Sequence, residues 1–167
     1  MISQEVLLKQ AEEVKDSVIF HRRKIHRYAE IGGKECKTHK YICEFIEKLG
    51  LPYENVTETA ILATLDTGKP GPHIALRADI DALPLKENPD NLCGPRTCIS
   101  EQEGTCHACG HDAHAAMLMG CMEVFCNLKD SLSGVIYFCF EAGEENGASH
   151  LQMLDALGRR SVDTVWA

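Results

Sequence analysis

The sequence predicts an α/β fold, a mixed sheet flanked by helices. Three observations predict it. Segments whose apolar residues recur every three or four positions alternate with short, nearly continuous apolar runs. Glycine and proline clusters separate the two kinds of segment. The chain has 167 residues, 44% of them apolar and 25% charged, enough to bury a sizeable core without disulfide staples.

Each element follows from its pattern. Over residues 4–29, Leu7, Ala11, Val14, Val18, His21, Ile25 and Tyr28 share one helix face, and Gly32-Gly33 breaks the run. A second helix covers Glu35 to Leu49 on the stripe Ile42, Phe45, Ile46, Leu49, and Gly50 with Pro52 ends it. Ala60–Asp66 and His73–Asp79 read as strands. The turn-forming stretch Thr67–Pro72 between them predicts a hairpin. Residues 86–110 hold prolines, glycines and four cysteines with little periodicity, which predicts a long functional loop. A third helix runs from Asp112 to Leu128, with Met117, Gly120, Cys121, Val124, Phe125 and Leu128 as its stripe. Val135–Phe140 reads as a buried strand, Ala148–Leu157 as a helix and Val162–Ala167 as a last strand. Asp163–Ala167 reads as a strand entering a core, whereas domains usually stop at polar boundaries. The expectation is that residues 1–167 are the N-terminal part of a larger domain. No internal repeat or low-complexity tract interrupts the pattern.

Charge excludes some functions. Seventeen Lys and Arg against 25 Asp and Glu give a net charge of -8, the wrong sign for a general nucleic-acid or anionic-membrane binder. The residues Met1–Glu5 lack the basic and apolar stretches of a secretory signal, and no apolar run is long enough to span a membrane. The expected location is cytoplasmic. There, nine cysteines are thiols or metal ligands rather than a disulfide framework.

Three clusters carry chemistry. The first is Cys106-His107-Ala108-Cys109-Gly110-His111-Asp112-Ala113-His114. Thiolate and imidazole are favoured zinc and transition-metal ligands, and Gly110 lets Cys109 and His111 turn toward one ion. The adjoining helix N-terminus is expected to favour the Cys109 thiolate. His114 lies on the apolar stripe, either as a packed histidine or in the site. Asp112 either caps the helix or orients a ligand. The second cluster, Glu141-Ala142-Gly143-Glu144-Glu145, follows a strand. Adjacent carboxylates there can divide metal binding from proton transfer, although acidic loops are often merely solvated. The third is Arg77-Ala78-Asp79-Ile80-Asp81, where Asp79 and Asp81 share a side if the strand continues. One can bind metal or fix a metal-bound histidine, or the group is an ion pair at a strand end. His21 reads as a core or interface histidine, and His26 with Glu30 as an i,i+4 helix contact.

In this order the segments resemble the dinuclear metal-dependent aminoacylase/carboxypeptidase superfamily. The nearest branch holds hippurate hydrolase, N-acyl-amino-acid amidohydrolases and plant indoleacetyl-amino-acid hydrolases. The resemblance rests on Leu76–Pro84, on His107–His114 and on Glu144-Glu145 followed by Gly147-Ala148. It implies Cys109, His111 and Glu145 as metal ligands and Glu144 as the general base. Asp79 would be a supporting carboxylate at the catalytic centre. The clusters themselves, not the resemblance, offer Asp81, Asp112 and His114 as supporting residues behind the ligands. The resemblance further implies two divalent ions (zinc, manganese, cobalt or nickel), a small N-acyl amino acid substrate and a homo-oligomeric parent. Metal-activated water would hydrolyse the amide bond. Two further histidine ligands and a dimerisation domain are expected beyond Ala167, so this chain alone should turn over little. The chain departs from the family at Phe140-Glu141-Ala142-Gly143, at Ala29 and in the cysteines 93, 98 and 106.

Three other readings compete. Cys93, Cys98, Cys106 and Cys109 could form a four-thiolate structural zinc module. Cys106 and Cys109 could form a redox dithiol. The chain could also be a truncated, non-catalytic relative that binds a partner.

Overall fold

The computed structural model describes residues 2–167. The chain opens with α1 (Gln4–Tyr28) and α2 (Cys36–Lys48), followed by β1 (Tyr53–Asn55), β2 (Ile61–Asp66) and β3 (His73–Asp79). A loop holding the short pair β4 (Asp90–Asn91) and β5 (Gly94–Pro95) leads to α3 (His111–Asn127). Then come β6 (Val135–Glu141), α4 (His150–Gly158) and β7 (Thr164–Trp166). The elements confirm the α/β reading, with helix and strand ends moved by a residue or two.

The main sheet has the order β1-β2-β6-β3-β7. The predicted hairpin is therefore not formed: β6 lies between β2 and β3. It runs antiparallel to β2, with Ala63 opposite Phe138, and parallel to β3, with Leu76 opposite Phe138. The stretch Thr67–Pro72 crosses the start of β6 instead of folding back. Thr67 N donates to Gly134 O at 3.2 Å, and Gly134 N and Val135 N donate to Lys69 O and Pro72 O at 2.9 and 3.0 Å. The physical reason lies in β6 itself. Its run Ile136–Phe140 is buried throughout, and a strand apolar on both faces takes the sheet centre.

Around Phe138 and Phe140 the core gathers Ile42 and Ile46 of α2, Ile61, Leu62 and Leu65 of β2, and Met119 and Met122 of α3. The last strand is a second departure. All three β7 residues are exposed, because β7 pairs only with β3 and its outer edge is bare among the described residues. None of the described helices is long and apolar enough to cross a membrane.

Because β3 and β6 are parallel, their C-terminal ends open side by side, with Asp79 opposite Glu141. Such ends are where α/β sheets present functional groups. The N-terminus of α3 and the segment linking α1 to α2 meet the sheet at the same place.

Candidate metal centre

Three backbone turns aim the site. Gly110, at φ +100°, forms the N-cap of α3 and lets Cys109 and His111 face one point. After β6 the chain turns at Gly143 and enters a short 3₁₀ turn, Glu144–Asn146. Beyond β3, Ile80 N donates to Glu141 O at 3.1 Å, which keeps the Asp79–Asp81 segment against the β6 end.

The result brings together side chains from two distant stretches. One ligand atom each from Cys109, His111 and Glu145 lies within 4.8 Å of the others. His111 is almost fully buried, and its Nδ1 donates to Asp81 Oδ1 at 3.0 Å. In the neutral ring that bond leaves the Nε2 lone pair facing the cluster, 3.9 Å from both Asp79 Oδ2 and Glu144 Oε2, while the Asp81 hydrogen bond and the Asp79 charge raise the ring's pKa. Asp81 Oδ2 accepts from the backbone N of Glu145 at 3.1 Å. Asp81 therefore holds two of the three. Burial pushes its carboxyl up, but the His111 ring and the Glu145 N–H outweigh that and hold it below the usual range.

Asp79 does a different job. Its Oδ1 lies 2.5 Å from Arg77 Nη2, its N donates to His114 Nδ1 at 3.3 Å, and Arg77 Nε also binds Glu141 at 2.6 Å. His114 is thus a half-buried neighbour of Asp79. Arg77 compensates Asp79 and Glu141. Among the described residues no Lys or Arg forms an ion pair with Glu144 or Glu145.

The expected thiolate at Cys109 is not favoured by these surroundings. Desolvation of the sulfur and then the carboxylates of Glu145, Glu144 and Asp79 push its thiol up, although the residue is exposed. A divalent cation would reverse that balance, since it is the largest local charge in any site it enters. The donor set of one thiol, one imidazole presenting a free nitrogen and one unpaired carboxylate fits such an ion.

Asp112 neither caps α3, since Gly110 holds that place, nor touches the three. Its Oδ2 accepts from His26 Nδ1 and Arg22 Nε, each at 2.7 Å, and so ties α3 to α1. His26 also reaches Glu87 at 2.9 Å. The expected His26–Glu30 contact is absent, because Ala29 turns left-handed and ends the helix. Glu30 instead accepts from the N–H groups of Lys37 and Thr38 at the start of α2.

The four cysteines of the structural-zinc reading do not converge. Cys98 is buried with its S–H on Arg23 O, Cys106 is buried, and Cys93 is exposed. All nine thiols are free, including Cys106 and Cys109.

Two buried residues at the site, His107 and Glu35, have no role predicted from the sequence. His107 is buried, its ring nitrogens have no partner among the described residues, and burial pushes its pKa down to about 4. Its place inside the cysteine–histidine run was the available signal. Glu35 is fully buried and accepts from the N–H of Gly143 at 2.8 Å, a contact across the fold with no sequence signal.

The sequence profile of peptidase family M20/M25/M40 matches residues 75–167. Thermostable carboxypeptidase 1 of Saccharolobus solfataricus is 41% identical over 97% of this chain and 41% of its own length. An N-acyl-L-amino acid amidohydrolase of Geobacillus stearothermophilus is 37% identical over 86% of this chain and 38% of its own. The crystal structure of the Bacillus subtilis YXEP protein, described as a dinuclear metal-binding peptidase of family M20, superimposes with a TM-score of 0.82 at 32% identity. It covers 92% of this chain and 42% of that one. The chain spans about two-fifths of the length of these relatives. The matched stretch runs from β3 through the Cys109–His111 turn and the glutamate pair, and with more than half of its residues so matched the chain belongs to peptidase family M20/M25/M40.

Proposed function

We propose that residues 1–167 form the N-terminal part of the catalytic domain of a metal-dependent amidohydrolase acting on N-acyl amino acids or related peptide-like amides. The reading is carried by the convergence of Cys109, His111 and Glu145, with His111 oriented through Nδ1 by Asp81. Family membership and the names of the relatives support the reaction class.

Cys109, His111 and Glu145 would hold divalent metal, and the dinuclear relative supports a pair of ions. When bound, such ions polarise the scissile carbonyl and acidify water. Glu144 is the general base. Its side chain is 43% exposed beside the cluster, so it reaches both the ions' neighbourhood and solvent. It takes a proton from the attacking water and passes it to the leaving amine nitrogen. Asp81 keeps His111 in the tautomer that presents Nε2. Arg77 fixes Asp79 at the back of the site. Three protein ligands do not complete a pair of sites, so the proposed domain would draw its further ligands from outside residues 1–167.

Cobalt(II) titration tests the site. The chain should show thiolate-to-cobalt charge-transfer absorption, and Cys109→Ser should abolish it and weaken binding by more than about tenfold. Unchanged binding in Cys109→Ser refutes the ligand set. Hippurate turnover tests the domain reading. The chain alone should give none above background, and chelator-sensitive turnover by the pure chain would overturn that.

A further inference from the structure

We infer that Glu35 is a positioning residue for the Glu144–Glu145 turn, acting on the proposed metal site through the backbone N–H of Gly143. The inference rests on the metal-site reading given above and adds a residue to it.

The turn is anchored at four points. Ser149 Oγ accepts from Ala142 N and donates to Ala142 O, at 3.1 and 2.6 Å. Asp81 takes the N–H of Glu145, and Asn146 Nδ2 donates to Gly32 O at 3.1 Å. The fourth anchor is Glu35. Its Oε1 accepts from Gly143 N at 2.8 Å and its Oε2 from Thr59 Oγ1 at 2.9 Å. Glu35 is fully buried, and no Lys or Arg pairs with it among the described residues. A carboxyl in such a place is costly unless its hydrogen bonds matter.

Gly143 is the point where β6 ends and the glutamate pair begins. It adopts φ +63°, and a Cβ there would come within 2.6 Å of Ala148 Cβ. Its N–H lies in a buried residue, and no water can replace a lost acceptor there without movement. Removing the Glu35 acceptor leaves that N–H unpaired, so the turn shifts, and Glu145 shifts with it. Cys109 sits just before the α3 N-cap and His111 opens α3, so neither depends on Glu35. The expected defect is therefore confined to the Glu145 contribution.

A double-mutant cycle on cobalt(II) affinity tests this. Glu35→Met should weaken binding about tenfold while the thiolate-to-cobalt absorption persists at saturation. Glu35→Gln, which keeps an acceptor for Gly143 N–H, should restore affinity to within about twofold. Glu145→Gln combined with Glu35→Met should be no weaker than Glu145→Gln alone, because both act on one ligand. If Glu35→Met does not fold, Thr59→Val, which frees the other carboxylate oxygen, should show the same non-additivity at smaller amplitude. Losses that simply add, or wild-type affinity in folded Glu35→Met, overturn the inference while leaving the site intact. Absence of the absorption in the wild-type chain instead refutes the site itself, and the inference with it.

Discussion

Asp81 joins two ligand-type residues through its two oxygens, one to the His111 ring and one to the Glu145 backbone. Asp81→Asn should therefore do more than remove a charge. If the amide oxygen serves His111, its NH₂ faces the Glu145 N–H, donor against donor. Metal affinity should fall by about 10- to 100-fold with little change in the fold, measured by competition with a chromogenic chelator. Wild-type affinity would show that His111 needs no such partner. At this scale much was legible. Cys109 and His111 stand in one short run, and the glutamate pair follows a recognisable strand. The division of labour between Asp79 and Asp81 was not legible. It depends on Arg77 reaching Asp79 and Glu141 at once, a cross-strand contact. Glu35 was invisible for the same reason, its partner being 108 positions away.

The helices were legible as elements because their stripes are long and periodic. β1, β4 and β5 were not, since two or three half-exposed residues carry no period. One junction between helices can be tested by pH. His21 of α1 lies 2.5 Å from Tyr41 Oη of α2 and 3.1 Å from Ser17 Oγ, and Ser17 donates to Glu123 of α3 at 2.6 Å. Tyr41, pushed up to about 12 chiefly by burial, stays a donor to Nδ1. Burial lowers the His21 pKa below its ordinary 6.5, against the pull of Glu123 and with help from Lys48. The unfolded chain then binds the extra proton just below that value. This contribution to stability is full at neutral pH and is lost as pH falls through and below about 6.5. Urea unfolding at about pH 7.5 and about pH 5.5 should show the loss, and His21→Gln should flatten it. An unchanged slope in the variant would assign the acid sensitivity elsewhere.

For the whole molecule, the fold class was legible and the strand order was not. Alternating periods specify helices on a sheet. Order depends on which strand is apolar on both faces, and the turn signal at Thr67–Pro72 pointed to the wrong neighbour. Centrality has an energetic signature. Phe138 is completely buried at the middle of the sheet, so Phe138→Ala should cost about 3–5 kcal/mol in denaturant unfolding. A loss near 1 kcal/mol would mean that the core collapses into the space. The place of β6 also bears on synthesis. β2 and β3 emerge early from the ribosome, yet their shared partner ends only at Glu141. Until then β2 can pair only with the three-residue β1, and β3 has no strand beside it. Contacts this far apart in sequence make the closing step slow. A ribosome-stalled chain ending near Ser133 should be cleaved readily by protease, and one ending beyond Arg160, with room for the exit tunnel, should resist. Translation speed across the 110–141 stretch then sets how long the open edge of β2 and the lone β3 are exposed to wrong partners.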